Sequence, residues 1–325
     1  MTSSGSTFYQ SHEQPATNEF FEDLTRERFP SGCAWIEGKF VPISEARIPI
    51  LDMGFTRSDL TYDVVSVWNG GFFRLEDHLD RLRRGCEKLR LVPPVGPDEI
   101  KQILIDTVAL SGLRDAYVEA IVTRGVPEKG ERDPRRVSAR FYAYAIPYVW
   151  IVSEKDQQKG IAVAISQATD RISARSVDPT VKNFHWGDLT RALFEAFDSG
   201  ASLPILTDGQ GKITEGPGYN VFALYKDRLY TPAAGVLEGI TRKTVIELAR
   251  IHGIEMIVGE LDVDMLNAAD EIFLTSTAGG VMPVSTLDGK TVGVGRPGPV
   301  TSLLRDAYWK LHNDERYFLP IDYKA

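Results

Sequence analysis

Residues 176–197 read SVDPTVKNFHWGDLTRALFEAF, a tight turn followed by a helical pattern. The apolar residues of its second half recur at helical spacing, at Leu189, Ala192, Leu193, Ala196 and Phe197. Most lysines lie on solvated surfaces, because their ammonium group is costly to bury. Lys182 instead follows an Asp-Pro turn, stands beside Phe184 and Trp186, and has no acid directly adjacent in the sequence. This setting makes Lys182 a candidate for chemistry.

Upstream of this stretch, the patterns predict hairpins, helices and strands that form one unit. Hairpins are predicted at 33–43 and 60–75, the second around the Asn-Gly pair at 69–70, since such pairs favour two-residue turns. Helices are predicted at 74–91 and 96–113, and strands at 116–125 and 140–152. The charged segment 126–138 is predicted to be a loop of a length that is often functional.

Downstream of this stretch, short strands and tight turns are predicted over 203–232, and helices at 239–253 and 298–312. A strand, a glycine-rich turn and a second strand are predicted over 271–290. We therefore predict a mixed α/β (α+β) fold of two domains. The predicted parts are a flexible N-terminal segment (1–30), a small α/β domain (31–146), an interdomain linker (147–157) and a large C-terminal domain (158–325).

The composition narrows the class of protein. The chain of 325 residues is 43% hydrophobic and 25% charged, which is ordinary for a globular protein. A net charge of −8 argues against nucleic-acid binding, and no apolar run approaches the roughly 18 residues of a membrane helix. The polar N-terminus lacks the pattern of a secretory signal. Two cysteines form neither a disulfide framework nor a clustered metal site, so we expect no metal and a cytoplasmic location.

Five elements are weak signals when each is taken alone. A lone arginine, acid or helix start occurs on most protein surfaces without any function. Together they predict a ligand with an anionic group, a ring nitrogen and an aldehyde, which is the chemistry of pyridoxal phosphate. The elements are Arg81, Lys182, Glu215, the helix start at Ile240 and Thr241, and the turn at Ser276 and Thr277.

Here the chain resembles a family, the fold-type IV pyridoxal-phosphate enzymes. The resemblance extends from about residue 33 to 323 and rests on five motifs in a fixed order. They are FFRLEDHLDRL, DPTVKNFHWGDL, TEGPGYNVF, GVLEGITRKTV and TSTAGGVMP. The segments ARIPILDMGF, SDLTYDVVSVWNG and VKNFHWGDL make the chain most similar to the (R)-selective amine transaminases of this family. The resemblance implies a homodimer with the cofactor at the interface between the two domains.

The resemblance also implies a role for each candidate residue. Lys182 binds the cofactor covalently and moves the substrate proton, and Glu215 pairs with the pyridine nitrogen. Arg81, rather than Arg74, is implied to hold the phosphate. Further cofactor contacts are implied for Leu237, Ile240, Thr241, Ser276 and Thr277. The substrate pocket is implied to contain Tyr62, Val64, Tyr117 and Trp186.

Substrate choice depends on what holds a carboxylate. Branched-chain enzymes of the family have an arginine in the strand where this chain has Glu119, and an acid there repels a carboxylate. Among the basic residues of the loop segment 126–136, Arg132 is the first choice for a keto-acid carboxylate. A charged loop exposed to solvent is an equally good interpretation of any single residue here. We therefore predict an (R)-amine as donor and a keto acid such as pyruvate as acceptor.

Two departures from the family pattern leave alternatives open. Arg57 stands where amine transaminases usually have histidine. It can bind a substrate carboxylate, or it can pair with Asp59 or with an acid across the dimer interface. Pro217 replaces a serine of the family's EGSG motif, which removes an N–H donor or merely stiffens the turn.

Other functions compete with this prediction. A D-amino-acid aminotransferase that uses Arg57 is the main alternative within the class. An aminodeoxychorismate lyase and a branched-chain aminotransferase are less favoured. A catalytically silent homologue that binds pyridoxal phosphate is the non-enzyme alternative, and the complete Lys182, Glu215 and Arg81 set argues against it.

Overall fold

The computed structural model describes residues 29–324. The predicted flexible segment 1–30 lies almost wholly outside these residues. No helix within 29–324 has both the length and the apolar character needed to cross a membrane. The helices are α1 (Met53–Arg57), α2 (Leu75–Leu89), α3 (Pro97–Ser111), α4 (Glu154–Lys159), α5 (Gly187–Asp198), α6 (Ile240–Ile251), α7 (Val263–Asn267) and α8 (Pro299–Leu311).

The strands form two sheets. The first eight strands are β1 (Cys33–Ile36), β2 (Lys39–Pro42), β3 (Leu60–Trp68), β4 (Gly71–Phe73), β5 (Ala116–Thr123), β6 (Arg140–Pro147), β7 (Ile161–Ile165) and β8 (Leu203–Ile205). The others are β9 (Glu215–Gly216), β10 (Tyr219–Tyr225), β11 (Arg228–Pro232), β12 (Met256–Gly259), β13 (Glu271–Ser276), β14 (Gly280–Leu287), β15 (Lys290–Thr291) and β16 (Phe318–Pro320). The predicted mixed α/β class is confirmed.

The first sheet is antiparallel and has the strand order β16-β4-β3-β5-β6-β1-β2. Val64 of β3 lies opposite Glu119 of β5, which lies opposite Tyr144 of β6. Because side chains alternate along a strand, these three share one face. The other face carries residues such as Val65 and Val118, which form a buried core with helices α2 and α3. One face of this sheet is therefore available to form a cavity.

The second sheet is mixed and has the order β12-β11-β10-β13-β14-β7-β8, with β9 paired to β10 and β15 to β14. Its central strands are antiparallel, whereas β14–β7, β7–β8 and β11–β12 are parallel. Phe222 and Phe273 stack at 4.9 Å on the face covered by α6 and α8. Helices α6 and α8 thus cover this face, whereas α5 and α7 pack through Leu193 and Leu266 on the opposite face, which carries Val221.

Three details differ from the predictions. Strand β6 ends at Pro147 rather than 152, because proline cannot donate to the sheet ladder. The predicted linker contains most of the short helix α4, which continues to Lys159 and whose start is capped by Ser153, the acceptor of a hydrogen bond from the Asp156 N–H. Strand β16 lies within the predicted C-terminal domain, 158–325, but it pairs with β4 and so belongs to the first sheet.

The structure confirms most of the buried side that was predicted for helix α5. Leu189, Ala192 and Ala196 are buried, whereas Phe197 is 55% exposed and Phe194 is 64% exposed. Phe197 comes eight residues after Leu189, which places it about 80° further round the helix. The prediction that Phe197 lies on the buried side is therefore wrong.

His312 gives the fold a pH-dependent contribution to stability. Its ring is buried, stacks on Phe73 with 3.9 Å between centroids, and its Nδ1 lies 3.2 Å from the Tyr308 carbonyl oxygen. Burial lowers the pKa of His312 to about 4, from 6.5. Between these values the unfolded chain binds more protons than the folded one, so the free energy of unfolding falls as the pH drops from 6.5 to 4.

We expect His312 to account for about 3 kcal/mol of that loss. In His312→Phe, which keeps a ring against Phe73, the loss over this pH range should shrink by that amount. Urea unfolding between pH 4.5 and 7.5 measures the difference. His252→Phe is the matched control, because His252 ends α6 as His312 ends α8 but is exposed. Parallel pH curves for wild type and His312→Phe would contradict the assignment.

Candidate active site

A cavity of about 500 Å³ lies between the two sheets. Its walls come from the face of β3, β5 and β6 described above, from the segment around Lys182, and from turns of the second sheet. The structure brings most of the predicted residues into this cavity. Those that line it are Tyr62, Val64, Arg81, Tyr117, Lys182, Trp186, Glu215, Leu237, Ile240, Thr241, Ser276 and Thr277.

Lys182 is held through its backbone by strand β3. Its carbonyl oxygen accepts hydrogen bonds from the Tyr62 N–H (3.2 Å) and from Thr61 Oγ1 (3.0 Å). The turn before it is closed by Asp178, whose side chain accepts from the Thr180 N–H at 2.9 Å. The Lys182 Nζ lies 4.5 Å from the centroid of the Tyr62 ring. The amine therefore lines the cavity from a fixed backbone, against an aromatic face.

Glu215 is a buried carboxylate with a donor at each oxygen. Oε2 accepts from the Leu237 N–H (2.8 Å), and Oε1 accepts from Arg171 Nε (3.1 Å). Arg171 is fixed in turn by Asp188, which lies 2.6 Å from its Nη1. Burial raises the pKa of Glu215, while Arg171 and the Leu237 N–H oppose that rise. The Glu215 carboxylate is thus held in one orientation by the Leu237 N–H and by Arg171.

Arg81 projects from α2 and is oriented by Asp63. Asp63 accepts from Arg81 Nε (2.7 Å) and Nη2 (2.8 Å), and its Oδ1 lies 2.7 Å from His78 Nδ1. Burial acts to raise the pKa of Asp63, but Arg81 and His78 overcome it and lower that pKa. A third contact, from Arg81 Nη1 to the Glu238 carbonyl oxygen, leaves one N–H on each terminal nitrogen of Arg81 for a ligand.

Arg74 is placed differently from Arg81. It is buried and bonds to Asp77 (2.5 Å), Thr244 (2.9 Å) and Glu247 (2.7 Å), and it does not line the cavity. Two of these partners, Thr244 and Glu247, belong to α6, so Arg74 holds the start of α2 against α6. This arrangement supports the predicted choice of Arg81 rather than Arg74 as the anion-binding arginine.

Helix α6 begins at the cavity with free N–H groups. The first N–H groups of a helix have no intrahelical partner, and no side chain caps the start of α6. The N–H groups of Ile240 and Thr241 are therefore available to a ligand. Gly239 is required here, because a Cβ at this position would lie 2.2 Å from Asn220 Oδ1. Asn220 is itself fixed by a 2.9 Å bond to the Leu237 carbonyl oxygen. A helix start of this kind favours an anion.

Pro217 lies in the two-residue turn between β9 and β10. Gly218 after it has a φ of +86°, which suits the third position of a type II turn, where proline is favoured at the second. The turn also lines the cavity. Of the two interpretations left open by the sequence, the backbone favours a stiffened turn.

Glu119 lies behind the cavity wall rather than in it. Its Oε2 accepts from Tyr144 (2.7 Å) and from Tyr117 (3.3 Å), and both tyrosines line the cavity. Burial raises the pKa of Glu119. The prediction that Glu119 itself lines the pocket is therefore corrected to a supporting position beneath two tyrosines.

Arg57 and Arg132 do not line the cavity of this chain. Arg57 is exposed in the last turn of α1, and Asp59 pairs with Arg124 at 3.0 Å, so the suggested Arg57–Asp59 pair is not formed. Arg132 is exposed in the loop after β5. Both predictions place these side chains in the pocket, and the backbone of a single chain carries them outside it.

Several supporting residues were missed by the sequence analysis. They are Asp63, His78, Tyr144, Arg171, Asp188 and Asn220. None belongs to a recognised spacing, because each acts on a partner brought near only by tertiary packing. Asp63 offered one signal, as the single acid inside the otherwise uncharged strand β3.

Comparison with known proteins agrees with this geometry. Residues 60–287 match the family model of class IV amino-transferases. The chain is 31% identical over 277 residues to a putative branched-chain-amino-acid aminotransferase of Methanocaldococcus jannaschii, covering 84% of this chain and 94% of that one. It is 29% identical over 272 residues to a D-alanine aminotransferase of Bacillus licheniformis, covering 83% and 93%.

A solved structure resembles the whole fold. The T.th. branched-chain amino acid aminotransferase, crystallised with pyridoxamine 5'-phosphate, superposes with a TM-score of 0.84 at 27% identity. The match covers 91% of this chain and all of that one. The donor set of the cavity fits the same kind of cofactor. It offers an arginine edge and free N–H groups for a phosphate, a carboxylate for a ring nitrogen, and one lysine amine.

Proposed function

The chain belongs to the class IV aminotransferases and uses pyridoxal phosphate, and from this premise we propose that it transfers the amino group of an (R)-amine to a keto acid such as pyruvate. The main support for this proposal is the composition of the cavity wall. It is built from aromatic and aliphatic side chains, and within residues 29–324 it has no cation free to hold a substrate carboxylate. The residues concerned are Tyr62, Val64, Tyr117, Tyr144, Ile146, Val149, Ile151 and Trp186.

The cations of the cavity have other partners. Within residues 29–324, three cationic side chains line it. Arg81 is paired with Asp63, Arg171 is shared by Glu215 and Asp188, and Lys182 is the reacting amine. A buried carboxylate without a cationic partner is costly, and Glu119 behind the wall adds repulsion. A donor without a carboxylate is therefore favoured over the branched-chain amino acids named for many relatives.

The residues of the chain have distinct tasks in this reaction. Bound pyridoxal phosphate supplies a carbonyl that takes up the amine and a ring that accepts an electron pair from the substrate carbon. Lys182 Nζ would hold the cofactor between turnovers, then accept the proton of the substrate carbon and deliver it to the cofactor carbon that carried the carbonyl. Glu215 presents a negative charge to the ring nitrogen. Arg81, the start of α6 and Thr277 anchor the phosphate.

The acceptor poses the opposite problem, because a keto acid carries a carboxylate. Arg132 is the candidate that supplies a cation when needed. Its loop neighbours Arg135 and Arg136 are paired with Asp133 and Glu131, whereas Arg132 has no acidic partner among residues 29–324. Because Arg132 lies outside the cavity in this structure, its role requires the exposed loop to swing and bring the arginine to a bound keto acid.

A substrate panel tests the proposal. With (R)-1-phenylethylamine as donor and pyruvate as acceptor, we expect turnover at least tenfold faster than with D-alanine or L-leucine as donor. In Arg132→Ala, the KM for pyruvate should rise about tenfold, the size of one charged contact, while the KM for the amine stays unchanged. Arg135→Ala is the matched control, since Arg135 is held by Asp133 in the same loop.

Two outcomes would contradict the proposal. A strong preference for D-alanine would point to the second candidate, a D-amino-acid aminotransferase, which the Bacillus licheniformis relative favours. A preference for L-leucine would point to a branched-chain enzyme. An equal rise in KM for pyruvate in both arginine variants would remove Arg132 from its role.

We also propose a homodimer and a cytoplasmic location. Ile48, Ile50, Leu51 and Phe55, on and before α1, are 47–74% exposed and form a cluster of large apolar side chains in one segment. A second copy that covers this segment would bury it and would stand next to Arg57. Sedimentation analysis that returned the mass of a single chain would contradict the dimer. Both cysteines are free and buried, as suits a reducing compartment.

A further inference from the structure

The interdomain segment 148–157 holds the turn between β13 and β14 at three successive carbonyls. Tyr148 donates its hydroxyl to the Thr277 carbonyl oxygen at 2.7 Å. The Ile151 N–H donates to the next carbonyl, of Ala278, at 2.8 Å, and Gln157 Nε2 donates to that of Gly279 at 3.2 Å. Three consecutive acceptors of one turn are thus satisfied by one short stretch of chain.

This interdomain segment is itself fixed to the first sheet. The Tyr148 N–H donates to the Asp115 carbonyl oxygen at 3.2 Å, just before β5. Its ring packs edge-on against Trp68 of β3 at 5.6 Å and against Trp150 at 5.0 Å. Trp68 also contacts Trp309 of α8 at 5.0 Å. The segment therefore joins a strand of the first sheet to a turn of the second.

Because the carbonyls of the turn are hydrogen-bonded to the interdomain segment, the N–H groups of the turn are the polar backbone groups left for a ligand in the cavity. Ser276, Thr277 and Ala278 line the cavity, and the Thr277 N–H has no acceptor anywhere in residues 29–324. A rotation of the turn that presented an oxygen to an anion would break these three carbonyl hydrogen bonds. A turn fixed in this way is preorganised to donate, which reduces the cost of ordering on binding.

We propose that the interdomain segment 148–157 sets the affinity for the phosphate group of the cofactor, with Tyr148 and Gln157 as positioning residues. Neither residue has to touch the phosphate, since both act through the turn that carries Thr277. The inference rests on the proposed role of Thr277 in holding the phosphate, and it does not depend on which amine is the substrate.

Binding of two probes to the cofactor-free protein tests the proposal. Pyridoxal phosphate carries the phosphate, whereas pyridoxal lacks it. In Tyr148→Phe, which keeps the ring and removes one hydrogen bond, the Kd for pyridoxal phosphate should rise about fivefold. The Kd for pyridoxal should change by less than about twofold. Gln157→Met, which keeps the length of the buried side chain, should give the same selective loss.

Tyr323→Phe is the matched control. Tyr323 also donates its hydroxyl to a backbone carbonyl, that of Leu113 at 2.8 Å, but in the first sheet's core. Its removal should leave both dissociation constants unchanged. An unchanged Kd for pyridoxal phosphate in both Tyr148→Phe and Gln157→Met would overturn the proposal. So would an equal loss of affinity for pyridoxal, which marks a general structural effect.

A fourth variant separates this inference from the assignment of the phosphate site. Arg81→Lys should weaken pyridoxal phosphate selectively if the phosphate is bound at Arg81 and the turn. Selective loss in Arg81→Lys without loss in Tyr148→Phe and Gln157→Met would overturn the role of the interdomain segment alone. Absence of selective loss in Arg81→Lys would overturn the phosphate site and with it the inference.

Discussion

Replacing Lys182 with alanine is expected to lower the turnover of transamination by about 10⁴-fold. The side chain supplies the only amine that lines the cavity within residues 29–324, and its backbone is fixed by two hydrogen bonds to β3. Alanine therefore removes the group that attaches the cofactor and the base that moves the substrate proton, without disturbing the strand. Steady-state turnover with amine and pyruvate measures the loss.

Two variants separate charge and packing from chemistry in this experiment. Lys182→Arg keeps a cation over the Tyr62 ring but is never a neutral amine near neutral pH, so it should be as inactive as alanine. Lys226→Ala removes a similar lysine–tyrosine contact, 4.9 Å from the centroid of Tyr225, at an exposed position outside the cavity, and should be fully active. Reduction with borohydride followed by mass spectrometry should place the cofactor on the Lys182 peptide of the wild type. Substantial turnover in Lys182→Ala would exclude the assigned role.

Replacing Glu215 with glutamine is expected to lower turnover by about 10²-fold, the size of losing one preorganised electrostatic partner. Glutamine has the same size and its carbonyl can still accept from the Leu237 N–H. It carries no charge, however, so it neither stabilises a protonated ring nitrogen nor balances Arg171, which keeps only Asp188. The loss should appear in kcat, because the substrate wall of the cavity is untouched.

Glu195→Gln is the control for this substitution. Glu195 of α5 is also a well-bonded carboxylate, accepting from Ser166 Oγ at 2.6 Å, but it does not line the cavity. We expect it to turn over at the wild-type rate. If Glu215→Gln were as active as Glu195→Gln, the carboxylate would not be the partner of the ring nitrogen.

The residues of the site itself could be predicted from the sequence, whereas the residues that orient them could not. Lys182, Glu215 and Thr241 are each embedded in a local signal, namely a turn, a short hairpin and a helix start. These signals depend on neighbouring residues, so they are visible in the chain itself. The mixed α/β class followed in the same way from hydrophobic periodicity.

The residues that orient the site could not be predicted in this way. Asp63 faces Arg81 only because α2 packs on one particular face of β3, and Arg171 reaches Glu215 across 44 residues of sequence. Such pairs depend on tertiary packing, which no spacing encodes. Phe197 shows the same limit at a helix edge, where a large apolar residue satisfies the pattern and is nevertheless exposed.

The place of strand β16 has a consequence for how the chain is made. β4 is bordered on one side by β3, which is synthesised just before it, and on the other by β16, which comes some 245 residues later. During translation, β4 therefore keeps an open edge until β16 leaves the ribosome. An unpaired edge is a template for pairing with other chains. The nascent protein must keep that edge protected while the roughly 245 residues between the two strands are synthesised, and the pairing of β16 is the event that closes it.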